Sequence, residues 1–414
     1  MSEAKGMDII MKFIDNGICA AKGFRASGVH VGFRKNSRKK DLALIVSDQT
    51  CSAAAVYTQN KVKCAPIMVN MEHLKDGKAR AIICNSGNAN ACAPNGYEIA
   101  RGTCKLAAEA LGIDEMDVIV CSTGVIGEQL FLEPFAVGIP KAVKKLSCEG
   151  SLAAAQAIMT TDKVIKEVAV EFELGGKTCR LGGIAKGSGM VNPNMATMLC
   201  FITTDVNIRS DLLQKALDED VPDTFNQICV DGDTSTNDTL AILANGMAEN
   251  DLIAEENEDY FKFCKALRTV NKVICQGIAA DGEGATKLIL CRVTGAPDKQ
   301  TARKVSKTVI QSDLVKTAIF GEDANWGRIL CAVGYSDMDF KVDNVDIYII
   351  SGDENINVCK QSVASGFDEE LAKRILAGKR IMILINLNDG AESAIAYGCD
   401  LTYDYVKING RYRT

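Results

Sequence analysis

Thr197 is the residue of this chain best suited to covalent chemistry. It closes the stretch Gly187-Ser188-Gly189-Met190-Val191-Asn192-Pro193-Asn194-Met195-Ala196-Thr197, and the apolar run Met198 to Ile202 follows at once. A glycine-bearing, turn-prone segment that empties into a buried strand would hold the threonine hydroxyl at the strand's mouth. Were the bond between Ala196 and Thr197 cut, Thr197 would carry a free α-amino group beside its own hydroxyl. Such an amine titrates near roughly 7.7–8.0, so it can accept the hydroxyl proton at neutral pH. One residue would then serve as nucleophile and base together. The same letters have a plainer reading, because Asn192-Pro193-Asn194 is an ordinary turn signal ahead of a strand.

Composition narrows the alternatives. The chain has two histidines, His30 and His73, and a Ser-His-Asp or Cys-His arrangement would have to use one of them. His30 lies in an alternating strand or turn, and His73 in a segment that reads as solvated, so both suit surface positions. With histidine this scarce, a histidine metal cluster is not expected either. The 17 cysteines are scattered singly, with no Cys-x-x-Cys pair, which reads as reduced core thiols in a reducing compartment. Cys200, three residues past Thr197, falls in the apolar run and reads as core. Met1 to Asp8 holds no apolar signal core, and no apolar run approaches ~18 residues, so a cytosolic protein without a membrane span is expected. A net charge of −6, a pI near 5.3 and the lack of a basic block argue against nucleic acid as a partner. At 414 residues and 47% hydrophobic content the chain can fill two sizeable cores.

The elements that must position Thr197 read as mixed α/β. Strands are expected at Leu42–Val46 and at Ala81–Cys84, the latter running into a small-residue loop from Asn85 to Asn90. Another is expected at Val118–Cys121, ending in Ser122-Thr123-Gly124. Gly175-Gly176 between Glu167–Leu174 and Lys177–Ile184 is a hairpin signal. Thr197–Thr204 opens the second half as a strand. Further strands are expected at Thr286–Thr294, Val345–Ser351, Ile381–Leu387 and Leu401–Ile408. Helices are expected at Tyr97–Leu111, Ser151–Met159, Asp259–Gln276 and Asp368–Leu376, with Ser210 capping one that runs towards Leu217.

Segments in order along nearly the whole chain resemble the glutamate/ornithine N-acetyltransferases of arginine biosynthesis, which are self-processing threonine acyltransferases. They are Lys22 to Phe24, Asp41 to Asp48, Asn85 to Ala91, Ser122 to Gly127, Pro193 to Leu199, Asp231 to Asp238, Gly282 to Lys287, Asn325 to Arg328 and Arg411 to Thr414. Ala324 stands where that pattern commonly has proline. The resemblance implies an α/β fold of the self-processing type, with sheets flanked by helices around a central strand that bears the nucleophile. It implies a cut between Ala196 and Thr197, giving an α chain of residues 1–196 and a β chain of residues 197–414, associated as α2β2 or larger. It further implies ping-pong transfer of acetyl from N-acetylornithine to glutamate through Thr197. Thr123 and Gly124 would supply oxyanion donors. Thr160, Lys186, Glu283, Asn409 and Thr414 would contact substrate, Lys186 as the fixed cation for an α-carboxylate and Glu283 near an amine. No bound cofactor and no metal are implied, and acetyl-CoA stays open as a second acetyl donor. Taken singly, Thr123-Gly124 could be a strand-end turn, Lys186 a surface lysine, and Thr160 a helix cap.

Two rival readings stay open at this point. A self-processing hydrolase would use water where the transferase uses glutamate. A binding protein could keep the fold without the chemistry.

Overall fold

The run from Leu42 to Val46 carries side chains alternately into two buried layers: Ala43 and Ile45 join one apolar cluster, and Leu42, Leu44 and Val46 another. A strand buried on both faces reads as a continuous apolar run, which is why this segment was legible. The computed structural model describes residues 9–36, 39–192 and 198–411. In chain order its strands are β1 (Lys12–Ile14), β2 (Phe24–Val29), β3 (Leu42–Tyr57), β4 (Lys78–Asn88), β5 (Val118–Val125), β6 (Lys166–Leu174), β7 (Lys177–Lys186) and β8 (Leu199–Thr204). They continue with β9 (Ile228–Cys229), β10 (Thr239–Ala244), β11 (Leu288–Ala296), β12 (Asp346–Ser351), β13 (Glu354–Lys360), β14 (Val363–Ala364), β15 (Arg380–Asn386) and β16 (Glu392–Cys399). The helices are α1 (Ala65–His73), α2 (Gly96–Leu111), α3 (Glu133–Lys144), α4 (Ser151–Ile158), α5 (Ser210–Asp220), α6 (Glu258–Ala280), α7 (Lys299–Gln311), α8 (Asp313–Phe320), α9 (Trp326–Gly334), α10 (Glu369–Leu376) and α11 (Tyr403–Asn409).

The chain divides into two units. The first takes residues 9–187, 198–221 and Thr234–Ile274. Its sheet runs β1-β6-β7-β8-β10-β3-β4-β5, with β2 also paired to β3. β8 is central, antiparallel to β7 and parallel to β10. Ala154, Ala155, Ala157 and Ile158 of α4 cover one face of the sheet. Val69 of α1, Ala100, Cys104 and Ala107 of α2, and Phe135 and Ile139 of α3 cover the other. The second unit takes residues 188–192, Pro222–Asp233 and 275–411. Its sheet runs β14-β13-β12-β15-β11-β16-β9 and packs against α7, α9 and α10, whose Val305, Val309, Ile329, Val333, Ile375 and Leu376 are buried. Both units are sheets flanked by helices, as the α/β reading expected.

Several local expectations change. β4 continues through Asn85–Asn88, which the sequence suggested as a loop, because Ser122–Val125 of β5 run alongside and take up its backbone groups. Leu401–Ile408 alternates like a strand but forms α11. β11 begins at Leu288, opposite Cys399, and β9 ends at Cys229, opposite Gly398, so neither neighbour of β16 extends beside the chain that leaves it, and the strand-like Tyr403 and Val406 lie exposed on a helix instead. Ser210 is the first helical residue of α5 rather than its cap, a place taken by Arg209. His73 is buried at the end of α1, its Nδ1 2.9 Å from the Val118 carbonyl. The cysteines are free thiols, mostly buried among the described residues.

Candidate active site

β4 and β5 run parallel in register from Ala81 opposite Val118 to Gly87 opposite Gly124, and the register then slips at Asn88. The slip turns the end of β5 and leaves Gly124 at φ 136°, a conformation that side chains rarely adopt. A Cβ there would fall 2.3 Å from the carbonyl carbon of Gly87 and 2.6 Å from the Asn88 nitrogen. Only glycine fits. Around it the backbone is tied by buried amides. Asn237 Nδ2 donates to the Ser122 carbonyl at 2.7 Å and to the Ala89 carbonyl at 2.6 Å. Ser122 Oγ donates to Asn85 Oδ1 at 2.6 Å, and Asn85 Nδ2 donates to the Asn88 carbonyl at 2.9 Å. Thr123, between the anchored Ser122 and the tight turn at Gly124, is therefore held in a rigid frame.

Lys186 ends β7 and is buried, and its Nζ donates to Thr123 Oγ1 at 3.4 Å. It is not the surface lysine that its isolated sequence allowed. A buried ammonium needs a counter-charge, and one lies in the loop after α4. Asp162 Oδ1 accepts from Lys166 Nζ at 2.6 Å and from the Gly187 N–H at 2.8 Å, and Oδ2 accepts from the Thr160 N–H at 2.9 Å. Burial alone would raise the Asp162 carboxyl, but Lys186 and Lys166 hold it well below the usual carboxylate range. Burial pulls the Lys186 ammonium below its ordinary value; Asp162 opposes that fall and Lys166 adds to it. Thr123, Gly124, Lys186 and the backbone of Thr160 thus belong to one connected set within the first unit.

The second unit holds Glu283 and Asn409. Glu283 is buried, its N–H donates to the Ser188 carbonyl at 2.9 Å, and its Oε2 accepts from Asn409 Nδ2 at 2.7 Å. Gly284, at φ 74°, brings its Cα so close to α11 that a Cβ would stand 2.5 Å from the Tyr405 nitrogen. The segment that leads towards Thr197 is tied down by Asp231, whose carboxylate accepts from the N–H groups of Met190 and Val191 at 2.6 and 2.8 Å. Ser188 Oγ donates to the Asp281 carbonyl at 2.6 Å, and Asn192 Nδ2 donates to the Gly232 carbonyl at 2.9 Å.

Ala196, Thr197 and Thr414 lie outside the described residues. Cys200 sits in the core on β8, its thiol pushed up by burial alone, which makes it a poor nucleophile. Among the described residues no group of His, Cys, Asp or Glu is arranged to hold a metal ion, and no helix is long and apolar enough to cross a membrane. Sequence reasoning did not single out Asp162, Lys166, Asp231 or Asn237. The available signals were the four-residue spacing from Asp162 to Lys166, next to Thr160, and the polar density of the segment from Asp231 to Asp238.

These features define a mixed α/β protein that buries an ammonium against a hydroxyl at the ends of two strands, next to a turn that only glycine can make. A family model described as the ArgJ family matches residues 25–414, and the chain belongs to that family. It is 52% identical over 405 residues to the arginine biosynthesis bifunctional protein ArgJ of Caldanaerobacter subterraneus subsp. tengcongensis, covering 98% of this chain and 100% of that one. It is 49% identical over 409 residues to arginine biosynthesis bifunctional protein ArgJ 1 of Clostridium acetobutylicum, covering 99% and 100%. The crystal structure of arginine biosynthesis bifunctional protein ArgJ from Bacillus halodurans is 49% identical, covers 51% of this chain and 97% of that chain, and superposes with a TM-score of 0.49.

Proposed function

We propose that this protein transfers acetyl from N-acetylornithine to glutamate through an acetylated Thr197, after cutting itself between Ala196 and Thr197. The observation that carries the reading is the buried contact between Lys186 and Thr123, beside the glycine-only turn at Gly124, in a chain of the ArgJ family. The Thr197 hydroxyl attacks the acetyl carbonyl, and its own amine takes the proton. The oxyanion that forms accepts from the Thr123 hydroxyl and the Gly124 N–H. Collapse breaks the amide bond and returns the proton to the leaving amine of ornithine. The glutamate amine then attacks the acetyl ester and regenerates Thr197. Lys186 and Thr160 meet the α-carboxylate common to both amino acids, while Glu283, Asn409 and Thr414 receive the rest of the substrate. The same two donors serve the self-cleavage, when the Thr197 hydroxyl attacks the Ala196 carbonyl. Acetyl-CoA is a second candidate donor, and the α and β chains are proposed to assemble as α2β2 or larger.

Intact mass under denaturing conditions tests the first step. Scaling 44.4 kDa by 196 and 218 of 414 residues gives fragments of about 21 and 23 kDa. They should form in the wild type and be missing in Thr197→Ala. Ornithine release from labelled N-acetylornithine, with and without glutamate, tests the second. Release that ignores glutamate would make the protein a hydrolase.

A further inference from the structure

We infer that Asp162 is a positioning residue for this reaction, setting both the place and the charge of Lys186 while fixing Thr160 beside it; the inference rests on the proposed acetyl transfer. The geometry is specific to a carboxylate. Oδ1 takes two donors, the Lys166 ammonium and the Gly187 N–H, and Oδ2 takes a third, the Thr160 N–H. An asparagine has a single acceptor oxygen, so one of the two sides would face an N–H with another N–H. The three bonds join the loop after α4, the first residue of β6 and the residue that follows β7. They fix the spacing between the two side chains assigned to the substrate carboxylate, Thr160 and Lys186. Because Gly187 is the residue next to Lys186, moving Asp162 moves the root of the lysine.

The charges lead to the same role. Asp162 and Lys166 are both almost wholly enclosed, with side-chain exposures of 0% and 2%. The groups that act on Lys186 are Asp162 from the loop, Lys166 from β6, Cys84 from β4 and Asp238 ahead of β10. Asp162 favours the ammonium form of Lys186, and Lys166 disfavours it both directly and by sharing the same carboxylate. A protonated Lys186 is needed to attract a carboxylate, and as an ammonium it can only donate to Thr123, whose own O–H is then left for the oxyanion. Asp162 never touches substrate in this scheme. It acts through Lys186, Gly187 and Thr160.

The two neighbours of Lys186 therefore predict shifts of opposite sign. The profile of kcat/KM against pH for N-acetylornithine would be measured for the wild type, Asp162→Asn and Lys166→Met. Activity falls at high pH as Lys186 loses its proton. In Asp162→Asn that alkaline limb should move to lower pH by about 1–3 units, with KM raised for both amino acids. In Lys166→Met it should move to higher pH. The titration of free N-acetylornithine is measured separately and divided out of each profile, so that the limb compared belongs to the enzyme. A limb that stays in place in both variants, or moves the same way in both, overturns the inference. Should Asp162→Asn fail to fold, Lys166→Met decides alone, because an unmoved limb there removes the electrostatic link. A wild type that cleaves itself but never transfers acetyl would defeat the underlying reading instead.

Discussion

Lys186 Nζ lies 3.4 Å from Thr123 Oγ1, inside the protein. A hydroxyl has one proton and two acceptor sites. With a lysine donor occupying one acceptor site, the Thr123 proton is left free to point away from the lysine, as the proposed oxyanion role requires, and the neighbouring cation makes it a stronger donor.

Thr123→Val should lower acetyl transfer by about 10²–10³-fold, the usual cost of one oxyanion donor, and Lys186→Met should lower it too, through the lost contact to Thr123 and the lost cation for the α-carboxylate. The double variant should fall short of the product of the two losses, because the Lys186–Thr123 contact is broken in both single variants, while the carboxylate-binding part of the Lys186 loss adds to that of Thr123→Val. Losses that multiply would mean that the two residues act separately. Steady-state transfer assays on all three variants and the wild type decide this.

Gly124→Ala is predicted to damage fold and chemistry together. The added carbon would meet backbone on β4 at 2.3 Å, and alanine does not favour φ 136°. A loss of about 1–3 kcal/mol in stability is expected from the forced backbone conformation, with activity down by at least about 10²-fold. Thermal melts and transfer rates check both. A well-folded, active variant would refute the assignment of the Gly124 N–H.

Asp231→Asn should slow processing. Its carboxylate holds the N–H groups of Met190 and Val191, a few residues ahead of the expected cut. One oxygen would become an amide nitrogen facing those donors. Misplacement of about 1 Å can cost a rate of order 10²-fold, so fragments should appear roughly 10–100-fold more slowly in a time course of freshly made precursor. Cleavage at the wild-type rate would show that this anchor does not set the approach of Thr197.

Lys307 on α7 gives a prediction about stability. Burial pulls its ammonium down to about 8, against 10.5 for an ordinary lysine. Its Nζ donates to the carbonyls of Asn226 and Ile228. Between about pH 8 and 10.5 the unfolded chain binds more protons at this position than the folded one, so its contribution to stability rises with pH across that window. Below it the contribution is constant and at its least favourable. Chemical denaturation of the wild type and Lys307→Met from pH 7 to 10.5 should show the difference between them moving in favour of the wild type. A constant difference would mean that the lysine titrates normally.

How far the sequence reached depends on how local each signal was. Gly175-Gly176 set the β6–β7 hairpin because both residues adopt positive φ, at 52° and 75°, the geometry of the tightest turns. α2 declared itself through Ala100, Cys104, Ala107 and Ala108 on one face. Leu401–Ile408 misled because its alternation carries no information about whether a partner strand stands beside it. His73 looked solvated because its neighbours Glu72 and Lys75 are polar, whereas the Val118 carbonyl that receives it is 45 residues away. The site divides along the same line. Thr123, Gly124, Lys186 and Glu283 belong to short recognisable strings. Asp162 and Asn237 are ordinary letters whose roles come from partners brought in by the fold: Gly187 lies 25 residues beyond Asp162, and Ala89 lies 148 residues before Asn237.

The strand order of the first sheet bears on what a cut before β8 would do to the molecule. β8 and β10 lie between β7 and β3, with six residue pairs joining β8 to β7 and six joining β10 to β3. A chain severed ahead of β8 would leave these two strands stitched into a sheet whose remaining strands belong to the other fragment, so the fragments could part only by unzipping its middle. An uncut chain would refold as a one-body reaction whose rate ignores concentration. The processed protein, once unfolded, would have to find its partner first, and its recovery would become second order. If the proposed cut is made in such a sheet, it would be remembered by the molecule as a change in the number of chains that must meet.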